Sequence, residues 1–266
     1  MRLAALILAL LPLPLAAQDC GPPDSPCRID GGYYHVTMPE AEPRGAVVFL
    51  HGWGGRADGI MRNTGLMRAL TERGYAAVAV QGMPRREGDS GGAWNSRAMP
   101  SPRRDDVGFI DAAANDAAER FGLPRETFVL GGFSGGGMMT WRVACDAPGA
   151  FAAYAPIAGT FWRPIPEDCA EPVRLHHTHG TDDDVVPLEG RTVGSGITQG
   201  DVFDVMEMQR ALHGCTGNNA QRTEGIYRID RWTNCAEGDL VMALHDGGHS
   251  IPRGWVNLML DWFENG

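Results

Sequence analysis

Lysine is absent: all 23 basic residues of this 266-residue chain are arginine, set against 33 Asp and Glu, for a formal net charge of −10. We read the exclusive use of arginine as genome composition and not as mechanism. The acidic balance leaves no basic footprint for a phosphate backbone, so nucleic acid is not an expected partner. Closely spaced C-x-x-C pairs, the mark of a structural zinc site, are also missing. Past the N-terminus no stretch reaches eighteen uninterrupted apolar residues, so neither a membrane span nor a membrane anchor is expected. There is no internal repeat, low-complexity tract or linker.

What is present begins with Met1-Arg2, an apolar stretch from Leu3 to Leu15, and the small pair Ala16-Ala17. This reads as a secretory signal peptide over residues 1–17, too short to span a bilayer. The remainder, 18–266, reads as a single domain, and the expected address is secreted or periplasmic. Export favours disulfides. The six cysteines are expected to pair sequentially, as Cys20–Cys27, Cys145–Cys169 and Cys215–Cys235, because each such pair brackets one local unit.

Ala46-Val47-Val48-Phe49-Leu50 is apolar throughout, as in a strand covered on both faces. It ends on His51-Gly52-Trp53-Gly54-Gly55, a turn that no helix crosses. Further strands are expected over 33–38, 76–80, 128–130, 152–157, 173–178, 225–232 and 240–244. Helices are expected over 66–73, 105–121, 138–145, 201–212 and 255–264, with Gly74 and Gly122 ending the first two. Strands alternating with helices call for an α/β fold: a mostly parallel central sheet with helices on both faces. Residues 81–103 form a long Gly-, Pro- and Arg-rich loop, of a kind that is often functional.

Gly132-Phe133-Ser134-Gly135-Gly136 matches G-x-S-x-G between an expected strand and an expected helix. In that setting a serine is forced onto a strained turn with its hydroxyl exposed, so Ser134 is the candidate nucleophile. A serine hydroxyl needs a base. The candidate is His249, which sits in the Gly-rich loop Asp246-Gly247-Gly248-His249-Ser250 after the last strand. The acid that orients it should follow a strand between the two, where Asp182, Asp183 and Asp184 stand in a row; spacing alone does not choose among them. Negative charge on a tetrahedral intermediate needs backbone donors. The amides of Gly135 and Trp53 are the candidate oxyanion hole. His177 and His179 share one face of a strand, but no third ligand has comparable spacing. No metal or other cofactor is expected.

Together these segments resemble the polyhydroxybutyrate depolymerase/feruloyl esterase family of secreted α/β-hydrolases, from Cys27 to about Trp255. The resemblance is carried by His51–Gly55, Asp105-Asp106-Val107-Gly108-Phe109, Gly132–Met139, His179–Pro187, Gly247-Gly248-His249 and the cysteines around Trp232. It implies the α/β-hydrolase fold and carboxylic-ester hydrolysis through an acyl-enzyme, with a small-molecule or oligomeric ester as substrate. The family pattern H-G-T-x-D-x-x-V-P falls on His179, Gly180, Thr181, Asp183, Val186 and Pro187, which selects Asp183. Ile251 departs from the family, whose members usually carry an aromatic residue before this proline.

Two other functions fit parts of the pattern: a serine peptidase, because the same triad cleaves amides, and a binding protein on a hydrolase scaffold. The connection over 158–172 is short and rich in proline, stiff where a swinging lid would need freedom. An open site is therefore expected, with Trp94 and Trp162, beside Trp53, as flat walls for substrate.

Overall fold

The computed structural model describes residues 20–97, 104–194, 196–217 and 219–266. The expected signal peptide over 1–17 lies outside the described residues, as does the end of the 81–103 loop. Among the described residues ten strands form one sheet. They are β1 (Cys27–Ile29), β2 (Gly32–Thr37), β3 (Gly45–Leu50), β4 (Tyr75–Val80) and β5 (Val129–Phe133). The second half supplies β6 (Ala153–Ile157), β7 (Arg174–Gly180), β8 (Ala220–Glu224), β9 (Tyr227–Trp232) and β10 (Asp239–His245). Across the sheet the order is β1-β2-β4-β3-β5-β6-β7-β10-β9-β8. The inner strands from β4 to β10 run parallel, and two antiparallel strands finish each edge.

The helices are α1 (Ala57–Met61), α2 (Thr64–Glu72), α3 (Asp106–Phe121), α4 (Gly135–Asp146), α5 (Val202–Leu212) and α6 (Trp255–Asn265). Side chains on a strand alternate between faces, and the core divides accordingly. Ala46, Val48 and Leu50 of β3 lie in one cluster with residues of α3, α4 and α5. Val47 and Phe49 lie in the other, with α1, α2 and α6. Every residue of β3 and of β4 is buried, so a strand that reads as continuously apolar is one that feeds both cores. α3 starts where the Asp105 carboxylate accepts from the Val107 amide, and it stops at Gly122 in the left-handed region.

The edge at β8 has no counterpart among the expected strands. Its residues are all exposed, so no apolar alternation marks it; pairing with β9 through the turn at Gly225–Ile226 makes it a strand. Within the 81–103 loop, Met83–Pro84 pairs with Gly92–Ala93 as a short hairpin. The disulfides Cys20–Cys27, Cys145–Cys169 and Cys215–Cys235 are formed. Among the described residues no helix is long and apolar enough to cross a membrane.

Candidate active site

Ser134 stands at the carboxyl end of β5, in the middle of the sheet, and α4 begins at the next residue. Its backbone takes φ 58° and ψ −120°, a conformation that costs a non-glycine residue about 1–3 kcal/mol and that surrounding structure must hold in place. The hold is visible. The Ser134 amide donates to the Ile157 carbonyl at 2.9 Å. α4 meanwhile packs so closely on the neighbouring strand that a Cβ on Gly136 would lie 2.1 Å from the Leu50 carbonyl oxygen. The small residues of the motif admit the helix; the tight turn pushes the hydroxyl outward.

Adjacent strands bring the partners to it. β7 and β10 run parallel in register, with Gly180 opposite His245, so the loops leaving their carboxyl ends lie side by side. The Thr181 amide donates to the His245 carbonyl at 2.9 Å, and the Asp182 amide to the Gly247 carbonyl at 3.0 Å. A Cβ on Gly180 would meet the Gly247 carbonyl oxygen at 2.2 Å. From these loops His249 Nε2 reaches Ser134 Oγ at 2.8 Å, while His249 Nδ1 lies 2.7 Å from Asp183 Oδ2. The Phe133 ring backs the imidazole, with centroids 4.7 Å apart. The structure thus brings Ser134, His249 and Asp183 into one hydrogen-bonded chain. Asp182 and Asp184 point into solvent.

Asp183 is 5% exposed. Burial alone would raise its carboxyl, but hydrogen bonds from His249 and from the Val186 and Val185 amides outweigh that and hold it below the ordinary carboxylate range. It is therefore an anion that can fix the tautomer of His249 and stabilise the imidazolium. Behind it His179 Nε2 donates to the Val186 carbonyl at 2.7 Å, leaving Nδ1 to accept from His177 Nε2 at 3.0 Å. Burial lowers the pKa of both rings. The two histidines that share a strand face thus brace the turn that carries Asp183.

The backbone of Trp53 lies beside Gly135: a Cβ on Gly135 would lie 3.2 Å from the Trp53 nitrogen. Neither amide has an acceptor among the described residues. The turn carrying Trp53 is held by His51, which donates from Nδ1 to the Gly52 carbonyl at 2.8 Å and accepts from the Gly82 amide at Nε2, 3.0 Å. Burial keeps this ring neutral by lowering its pKa. Trp94 Nε1 donates to the His51 carbonyl at 2.8 Å. In the sequence His51 is one residue of a Gly-rich turn, and nothing local signals this bracing, since its partner at Gly82 is 31 residues away.

A cavity of about 720 Å³ opens over Ser134 and is walled by Trp53, Trp94, Met138, Trp162, Val185 and Ile197, among others. Trp53 is 69% exposed at its rim, whereas Trp94 is nearly buried. Trp94 therefore serves both as wall and as brace. Trp162 Nε1 donates to Ser96 Oγ at 3.0 Å. The segment that carries it is sewn to the 191–200 loop, with the Arg163 amide on the Thr198 carbonyl and the Gly200 amide on the Phe161 carbonyl. Ile251 is half-buried and packs against the α6-side core.

No family model matches the chain. It is 28% identical to "Putative esterase NocK" of Nocardia uniformis subsp. tsuyamanensis, over 82% of this chain and 68% of that protein. It is 23% identical to feruloyl esterase C of Emericella nidulans, over 84% and 77%. Among solved structures, the acetyl xylan esterase from Aspergillus awamori superposes with a TM-score of 0.64 at 15% identity, over 88% of this chain and 94% of that one. The Bacillus cereus carboxylesterase does so at 0.57 and 13%, over 87% and 93%. The parallel sheet, the strand–serine–helix turn at its centre and these superpositions identify the chain as having the α/β-hydrolase fold.

Proposed function

We propose that this protein hydrolyses carboxylic esters through an acyl-enzyme on Ser134. The observation that carries the reading is the unbroken chain from Ser134 Oγ through His249 to Asp183, with two unused amides beside the hydroxyl. Ser134 Oγ attacks the ester carbonyl carbon as its proton passes to His249 Nε2. The amides of Trp53 and Gly135 take up the oxyanion, and Asp183 stabilises the imidazolium. The C–O bond to the alcohol breaks, and the departing oxygen receives the proton from His249. Water then gives a proton to His249 and its hydroxyl to the acyl carbon; the bond from that carbon to Ser134 Oγ breaks, Oγ takes the proton back from His249, and the acid leaves.

The finer reading is a feruloyl esterase or a depolymerase of polyhydroxyalkanoate oligomers, working outside the cytoplasm. The resemblance of the motifs, the feruloyl esterase relative, the tryptophan-walled cavity and three disulfides support it. A serine-directed fluorophosphonate should label the protein and fail to label Ser134→Ala. Initial rates on nitrophenyl butyrate, methyl ferulate, hydroxybutyrate oligomers and a peptide anilide should show the esters cleaved and the anilide spared. Preference for the anilide makes the protein a peptidase; no labelling and no turnover makes it a binding protein.

A further inference from the structure

In a chain of net charge −10, the cavity over Ser134 is cationic. Arg97 and Arg191 line it, and no Asp or Glu does among the described residues. A second cavity of about 320 Å³ adjoins the first across Trp162, shares Arg97 with it, and again has no acidic lining among the described residues. The other arginines of that second cavity are compensated, Arg142 by Asp146 and Arg163 by Asp204. Arg97 and Arg191 have no carboxylate within ion-pair distance among the described residues.

Both are nevertheless held in place. The Arg97 guanidinium sits over the Trp162 ring, 5.3 Å from its centroid, and that indole is itself pinned by Ser96. Arg191 Nε donates to the Val185 carbonyl at 2.8 Å, two residues from Asp183. A guanidinium anchored by its face or by Nε keeps further N–H donors for a carboxylate, with the fork geometry that suits it. A neutral substrate leaves these charges with water alone.

We infer that the site selects esters whose reacting molecule carries a free carboxylate, recognised by Arg97 and Arg191 in the lining of this cavity. The inference rests on the ester-hydrolase reading and sharpens its substrate class. Two sources supply this chemistry: hydroxy-acid oligomers with a free terminal carboxylate, and half-esters of dicarboxylic acids.

The test compares kcat/KM for each substrate with that for its amide-capped counterpart: the 3-hydroxybutyrate dimer for the first source, monoethyl adipate for the second. Wild type should prefer the carboxylate form by about tenfold or more in at least one series. The ratio should shrink as NaCl is raised and screening grows. In Arg97→Gln/Arg191→Gln it should fall to about one, with circular dichroism reporting an intact fold. Whichever series shows the preference identifies the source. Calorimetry on Ser134→Ala, which needs no turnover, should show tighter binding of the carboxylate form. If fluorophosphonate labels Ser134 and the ratio is one in both series, the charge inference is wrong and the hydrolase reading stands. If there is neither labelling nor hydrolysis, the hydrolase reading fails, and calorimetry alone decides whether the cavity prefers carboxylate.

Discussion

Asp182, Asp183 and Asp184 carry the same side chain, and position alone separates them. Only Asp183 turns inward, where two backbone amides occupy Oδ1 and leave Oδ2 for His249. Asp183→Asn presents an amide that favours the wrong imidazole tautomer, so ester turnover should fall about ten-thousand-fold. The same change at 182 or 184, on exposed side chains, should leave rates within about twofold, because exposed substitutions away from a site rarely matter. Steady-state kinetics on the three variants check this; a larger loss at 182 or 184 contradicts the geometry. Among the described residues the His51 ring makes no hydrogen bond to the serine chain, but it sets the turn that carries the Trp53 amide. His51→Ala should therefore lower kcat by about a hundredfold, as loss of one oxyanion donor does, with KM moved little.

Among elements, the stretch between β6 and β7 contributes a wall to the cavity over the serine. It carries Trp162, is bonded at Phe161 and Arg163 to the 191–200 loop, and is tied by Cys169 to Cys145 at the end of α4. A segment held at these points is expected to wall a groove and not to swing as a flap. Initial rates should thus rise smoothly with an emulsified triglyceride, without a jump at the onset of an interface; such a jump would mark a lid. Cys145→Ala/Cys169→Ala opens a 24-residue loop and should cost about 3 kcal/mol of stability, seen as a Tm lower by several degrees.

The molecule as a whole should be sensitive to acid. Burial lowers the pKa of His51, His176, His177, His179 and His245, that of His176 to about 4. Unfolded, such groups titrate near the ordinary value of about 6.5. Between that value and about 4 the unfolded chain binds protons that the folded chain refuses, so stability falls as pH falls through this window. His176 alone accounts for about 3 kcal/mol by the lower end. Asp183, held below the ordinary carboxylate range, adds stability above its unfolded value of about 4 that is lost in stronger acid. Urea midpoints at pH 8, 6 and 5 should decrease in that order; equal midpoints would show that these rings are not buried as neutral groups.

Local signals were legible in the sequence because local physics makes them. The unbroken apolar runs of β3 and β4 mark strands that feed two cores. Gly132, Gly136 and Gly137 around Ser134 mark a turn where a Cβ would strike a neighbouring carbonyl, and the cysteine spacing follows units that fold close to themselves. The polar edge strand β8 could not be read, since exposed residues carry no pattern and its pairing with β9 is the only thing that makes it a strand. The rest was decided by tertiary structure. The parallel register of β7 and β10 joins residues 65 apart in the chain, Gly180 and His245, and so sets which aspartate meets His249. Folding also turned Trp94 into a brace and gathered Arg97 and Arg191 into one cavity within an acidic protein. Charge composition is a sum over the chain, whereas a substrate meets only the charges that the fold brings to one place.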